Sequence, residues 1–343
     1  MKDNSNFSKH LLDWFYNNKR EMPWRETKDP YKIWLSEVML QQTQVNTVRP
    51  YYLKFIERFP NIETLAHAEI DEVSKYWEGL GYYSRIRNFH SAVREVRDTY
   101  NGVVPSDPET FLKLKGVGPY TQGAVMSIAF NHKVPAVDGN VYRVFSRLDN
   151  DDFDISKPAA RRHFEQKVMR VMPDAAGDFN EALMELGATV CTPKAPLCLF
   201  CPVMSHCESY VEGNVTERPV KLKKIKKQTE HYKVLVIEKN DKIYIERRPD
   251  SGLLQSMWQF PMFHIDTHPD TIEEELNMAL HIESTPFMSL KHQFTHLTWH
   301  MDVYKAVAIG SVDETNFIEI REKEGYNFPV SMTKIFKKYV DEK

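Results

Sequence analysis

All four cysteines of this 343-residue chain fall within one short stretch, Cys191-x6-Cys198-x2-Cys201-x5-Cys207. Four soft thiolates on one compact loop suit tetrahedral iron or zinc. Disulfides are an odd use of cysteine in a chain expected to be cytosolic, so a four-thiolate metal site outweighs four unrelated buried cysteines. Zinc ribbons usually pair two Cys-x2-Cys knuckles, and only one is present. A [4Fe–4S] cubane needs four thiolates fanned around a larger object, which unequal loops permit. Spacing alone favours iron–sulfur modestly and leaves zinc open.

Two acids have settings suited to chemistry. Glu37, in Trp34-Leu35-Ser36-Glu37-Val38-Met39-Leu40-Gln41-Gln42-Thr43, shares a helical face with Ile33, Trp34, Leu40 and Gln41. Desolvation on an apolar face raises a carboxyl pKa and favours a proton donor at neutral pH. The ordinary alternative is a glutamate on a helix surface. Asp138, in Pro135-Ala136-Val137-Asp138-Gly139-Asn140-Val141, precedes a helical pattern and reads as an N-cap whose amide hydrogen bonds hold it ionised. Between the two acids, Leu114-Lys115-Gly116-Val117-Gly118-Pro119-Tyr120 joins two helical patterns. Its glycines allow a tight turn, and the following helix N-terminus favours one phosphate. An ordinary helix–turn–helix connection fits this stretch equally well.

The elements that must position these groups come in two textures. Apolar residues at three- and four-residue spacing predict helices over 31–45, 84–100, 108–114, 120–130 and 178–191, so residues 1–217 read as an all-α domain. Residues 218–229 form a basic interdomain linker: the run 218–227 carries six cations and no anion, as a solvated connector or a DNA-binding strip. Residues 230–343 read as α+β, with strands at 232–237, 242–246 and 298–308, a turn at 250–252 and a helix over 271–281.

Net charge is −3, but residues 1–229 carry 32 Lys and Arg against 29 Asp and Glu, and residues 230–343 carry 13 against 19. Neither half is strongly basic, so charge is neutral on nucleic-acid binding, and any contact with DNA must rest on a few local cations and amides. No run approaches the roughly 18–20 apolar residues that span a bilayer. A monomeric cytoplasmic protein with no membrane association is the expectation.

The cysteine spacing, directly after Glu185-Leu186-Gly187-Ala188-Thr189-Val190-Cys191, resembles the endonuclease III superfamily of DNA glycosylases. That resemblance implies a structural [4Fe–4S] cluster in loop 191–207, near the DNA-binding surface. The glycine turn resembles that superfamily's helix–hairpin–helix, with Gly116, Val117 and Gly118 holding the DNA backbone. Lys115 stands where the family usually has Pro. Strand-cutting relatives carry a Schiff-base lysine where this chain has Tyr120, and tyrosine cannot form that adduct. Ser36-Glu37-Val38-Met39-Leu40-Gln41-Gln42-Thr43 and Val137-Asp138-Gly139-Asn140-Val141 resemble the MutY-type adenine glycosylases.

By that resemblance, Glu37 protonates adenine N7, Asp138 stabilises the sugar oxocarbenium ion, and Tyr120 and Asn140 support them, as paired carboxylates do in sugar hydrolases. Trp24, Arg25 and Glu181 line the adenine pocket, Glu181 also having an ordinary reading as a surface acid. Gln42, Thr43 and Tyr82 probe the duplex around a flipped base, although spacing alone favours Tyr82 as plain core. The partner implied is double-stranded DNA with an A:8-oxoguanine or A:G mispair.

Residues 230–343 resemble the MutT-like (Nudix-like) recognition domain of the same enzymes. Phe294-Thr295-His296 aligns with a Phe-Ser-His loop that reads 8-oxoguanine, with Thr in place of Ser. Glu273-Glu274-Glu275 point in different directions on a helix and do not reproduce the Mg²⁺-binding pattern of hydrolytic relatives. The competing readings are a pyrimidine-specific glycosylase and a DNA-binding Fe–S protein with a decayed site. Glu37 with Gln42 and Thr43 speaks against the first, and intact Glu37 and Asp138 against the second.

Overall fold

The computed structural model describes residues 4–222 and 227–343, so residues 223–226 of the basic linker lie outside the described residues. The chain divides into two compact units, Met1–Glu69 with Ser84–Lys224, and Ile70–Tyr83 with Ile225–Lys343. The grouping of Ile70–Tyr83 with the C-terminal residues has no local signal in the sequence.

The first unit is helical. Asp29 accepts from the Tyr31 amide (2.9 Å) and, with Pro30 in the first turn, starts helix Pro30–Leu40. Asp107 caps Pro108–Leu112 through the Thr110 amide, and Pro119 opens Pro119–Phe130. Helices Ser84–Tyr100 and Ala176–Thr189 lie where spacing predicts them.

The helix expected over 31–45 stops early. It ends at Leu40, Gln42 takes a left-handed φ of 56°, and a new helix begins at Val45. The cause is Arg85, 8% exposed, whose Nη1 donates to the carbonyls of Val38 (2.9 Å), Met39 (2.8 Å) and Gln41 (2.6 Å). Those are the carbonyls a helix end leaves without partners. Phe7, Phe145, Phe164 and Phe179 are fully buried around one core, Phe7 meeting Phe145 and Phe179 edge-on. Each contributes roughly 1.5–3 kcal/mol of burial.

The second unit carries strands β1 (Gln228–Lys239), β2 (Lys242–Tyr244), β3 (Glu246–Arg247), β4 (Trp258–Gln259), β5 (Met262–His264), β6 (Ala279–Ile282), β7 (Met288–Gln293), β8 (Leu297–Ile309) and β9 (Phe317–Glu319). β1 and β8 run parallel through the middle of a seven-stranded sheet. β6 and β7 add antiparallel to β8, β2 and β5 to β1, and β9 to β2, while β3 and β4 form a separate pair. Helix Val330–Asp341 supplies Met332, Ile335 and Phe336 to the core on one sheet face, and helix Pro269–Leu276 supplies Ile272 on the other.

Two expectations are corrected in this unit. The helix predicted over 271–281 ends at Leu276 with Asn277 left-handed at φ 50°, and residues 279–282 become β6 because Leu280 and Ile282 alternate toward the second core. The strand predicted over 242–246 breaks after Tyr244, and Glu246 pairs with Gln259 instead. Among the described residues no helix is long and apolar enough to cross a membrane.

Candidate active site and cysteine centre

Glu37 is 5% exposed although it sits on a helix only eleven residues long. The Tyr120 hydroxyl donates to its Oε2 at 2.7 Å. Burial drives the Glu37 pKa up to about 7; the nearby Glu181 and Asp138 charges add to the rise, and the Tyr120 bond and Arg25 oppose it. The same burial, together with Glu37 and Asp138, holds the Tyr120 phenol well above its ordinary range. The two carboxyls and the phenol therefore act on one another across a buried space.

Asp138 caps helix Gly139–Leu148: the Val141 amide donates to Oδ1 (2.8 Å) and Asn140 Nδ2 to Oδ2 (2.8 Å). The sequence expectation of a carboxylate held simply ionised is modified here. Burial pushes the Asp138 pKa up, and the Val141 amide, Asn140 and the Arg143 charge pull it down. Burial is the larger influence, so the Asp138 carboxyl stays above its ordinary range despite these donors.

Arg143, three residues after Asn140, joins this site to the cysteine loop. Its Nη2 donates to Asn140 Oδ1 (2.8 Å) and to the Gly187 carbonyl (2.7 Å), and its Nε to the Cys191 carbonyl (2.7 Å). One turn on, Arg147, 1% exposed, donates to the carbonyls of Thr192 (2.7 Å), Pro193 (2.9 Å) and Val215 (2.9 Å) and to Cys191 Sγ (3.3 Å). Residues four apart share a helix face, so one face holds both the catalytic candidates and the loop.

Gly187 permits this approach, because a Cβ there falls 2.5 Å from Asn140 Cβ. Gly187→Ala is expected to displace Asn140 and slow the reaction of this site at least tenfold, about 1.4 kcal/mol, while the melting temperature falls modestly. Single-turnover rates beside thermal melts check it; an unchanged rate refutes the positioning role.

All four thiols, with Arg147, Leu197 and Met204, line one cavity. Burial raises the Cys198 thiol, takes Cys207 up to about 11 and Cys201 to about 12. Yet among the described residues no three His, Cys, Asp or Glu side chains converge as ligands of a single ion.

The remaining candidates fall into separate groups. Arg25 Nε pairs with Glu181 (2.8 Å) and its Nη2 with the buried Glu185 (2.9 Å), which Arg20 also holds (2.6 Å). Glu181 is thus a largely buried ion-pair partner and not a surface acid, with burial pushing its pKa up and Arg25 opposing. Trp24 is 5% exposed and packs edge-on to Tyr52, so it is a wall and not a free ring. Gln42 follows the helix end, and Thr43 accepts from Arg85 Nη2 (3.3 Å).

Gly116 needs its φ of 79°, and the Val117 amide is bonded within the turn to Leu114 (3.1 Å), with Gly118 as the N-cap of the next helix. In the second unit, Tyr82 is 48% exposed with a left-handed φ of 48°, against the core reading that spacing favours. Its hydroxyl lies 2.8 Å from Thr295 Oγ1. Phe294, Thr295 and His296 form the tight connection between β7 and β8.

Sequence reasoning missed Arg85, Arg147, Glu185 and Gly187. Arg147 had a usable signal, its i+4 spacing from Arg143. The partners of Arg85 and the close approach at Gly187 are tertiary and leave no local mark.

The fold and site define a helix–hairpin–helix base excision glycosylase fused to a Nudix domain. Residues 35–170 match the HhH-GPD superfamily of base excision DNA repair proteins, and residues 233–338 match the NUDIX domain. A thermostable thymine-DNA glycosylase superposes with TM-score 0.55 at 29% identity, covering 60% of this chain and 95% of that one. The adenine DNA glycosylase of Buchnera aphidicola subsp. Schizaphis graminum is 33% identical over 86% of each chain. That of Rattus norvegicus is 32% identical over 97% of this chain and 78% of its own. The chain belongs to the adenine DNA glycosylase family.

Proposed function

We propose that this protein hydrolyses the N-glycosidic bond of adenine mispaired with 8-oxoguanine or guanine in double-stranded DNA. The observation that carries this reading is Glu37, a buried acid with a pKa of about 7, electrostatically coupled to the hydrogen-bonded Asp138. Glu37 hands its proton to adenine N7, weakening the bond to the sugar. Asp138, ionised, stabilises the oxocarbenium ion that forms. Tyr120 and Asn140 orient the two carboxyls, and water completes the hydrolysis. Trp24, Arg25 and Glu181 flank the everted base; Gln42, Thr43 and Tyr82 contact the duplex; Gly116, Val117 and Gly118 hold a phosphate. Phe294, Thr295 and His296 read the opposite base.

With Tyr120 in place of a lysine, the chain releases base without cutting the strand. The test is a base-release assay on A:8-oxoguanine, A:G and pyrimidine-lesion duplexes. Adenine release from the first two supports the reading, and release only from the third, or from none, refutes it. Borohydride trapping during the reaction is expected to give no protein–DNA adduct.

Cys191, Cys198, Cys201 and Cys207 would hold a [4Fe–4S] cluster, because four thiols around a cavity suit a cubane better than one ion. The cluster supplies structural cross-linking of the loop. Purified protein is expected to show visible thiolate-to-iron absorption and four irons per chain, the number a cubane contains. Zinc in place of iron refutes the assignment.

A further inference from the structure

The connection bearing Phe294, Thr295 and His296 rests on groups that the opposite-base assignment leaves unused. The Phe294 amide donates to the Leu297 carbonyl (2.8 Å), closing the turn. The Phe294 ring meets two others edge-on, His292 with centroids 4.6 Å apart and Trp299 at 4.7 Å. Those two residues are a cross-strand pair of β7 and β8. Trp299 is 3% exposed, and its indole N–H donates to Glu230 Oε2 (3.1 Å), the oxygen that also accepts from the Tyr232 hydroxyl (2.7 Å). The Tyr232 ring abuts the indole edge-on, and the Arg248 guanidinium lies 5.6 Å from its centroid. An indole tied at its N–H and enclosed this way cannot turn without unpairing a buried donor and losing aromatic contacts.

We propose that Trp299, anchored by Glu230, is a positioning residue for discrimination of the opposite base. It fixes Phe294 and thereby the presentation of Thr295 and His296. The inference rests on reading that connection as the 8-oxoguanine sensor. Trp299 lies in the C-terminal unit, whereas Glu37 and Asp138 lie in the helical one, so its loss alters preference and leaves the chemical step intact.

The test uses the full chain and single-turnover adenine release from A:8-oxoguanine and A:G duplexes, with thermal melts alongside. Trp299→Leu is expected to lower the ratio of the two rates about three- to tenfold, the worth of an aromatic pair, with the A:G rate unchanged. Glu230→Gln, which keeps an acceptor for the indole, is expected to retain the wild-type ratio. A folded Trp299→Leu protein with the wild-type ratio, or with both rates lowered equally, overturns the inference. If that variant does not fold, Trp299→Phe carries the test: it keeps a ring and loses only the N–H, a smaller drop in ratio is expected, and an unchanged ratio overturns the proposal. A wild-type protein that treats the two duplexes alike instead sinks the sensor reading, and the inference with it.

Discussion

Glu37→Gln is expected to slow single-turnover adenine release by about 10²–10⁴, the range for loss of a positioned general acid. The amide keeps the volume and can still accept from Tyr120, so the fold and DNA affinity should persist. Stability gives an independent check. The folded pKa of about 7 lies above the ordinary 4.5, so the native state binds the extra proton between those values. Folding stability therefore falls as pH rises from about 4.5 to about 7, and the full penalty is present above that window. It amounts to roughly 3 kcal/mol from the size of the shift. A neutral amide escapes the penalty. The variant should be strongly slowed yet more stable than wild type at pH 8, with the difference shrinking toward pH 5. Near wild-type release, or lower stability at pH 8, would count against a buried proton-carrying acid.

Asp138→Asn should have a comparable effect for a different reason. Asparagine is also a good N-cap and can accept from the Val141 amide, so helix Gly139–Leu148 should form with a stability change of about 1 kcal/mol or less. What disappears is the negative charge beside the developing sugar cation. In a water-poor site such a charge is worth at least as much as an oxyanion-hole donor, so a loss of about 10² or more in rate is expected. DNA binding measured by electrophoretic mobility should be retained. A rate within tenfold of wild type would remove the electrostatic role. The double variant should lose far less than the product of the two single losses, because groups that act as a unit are non-additive.

Part of the candidate site's geometry is legible in the sequence, for identifiable reasons. Glu37 announces its burial because Ile33, Trp34 and Leu40 share its helix face, and the four clustered cysteines do line one cavity. The pattern was weaker where long-range partners decide. Tyr82 resembles core by spacing but takes a left-handed conformation and stands half-exposed beside Thr295. Residues 271–281 carry a helical pattern, yet Asn277 ends the helix and β8 recruits Ala279–Ile282 as a strand. The charge state of Asp138 is only half legible, because capping bonds are local while burial against them is tertiary. Arg85 shows the same limit: it closes a helix end 44–47 residues away in sequence.

The proposed chemistry depends on one proton held near neutrality by Glu37, and the pH dependence of adenine release tests it most directly. For wild type on an A:8-oxoguanine duplex under single-turnover conditions, the rate should decline above a midpoint near 7, approaching a tenfold fall per pH unit. The residual activity of Glu37→Gln should lack that falling limb. A wild-type rate that stays level well above neutrality, or the same falling limb in Glu37→Gln, would contradict it.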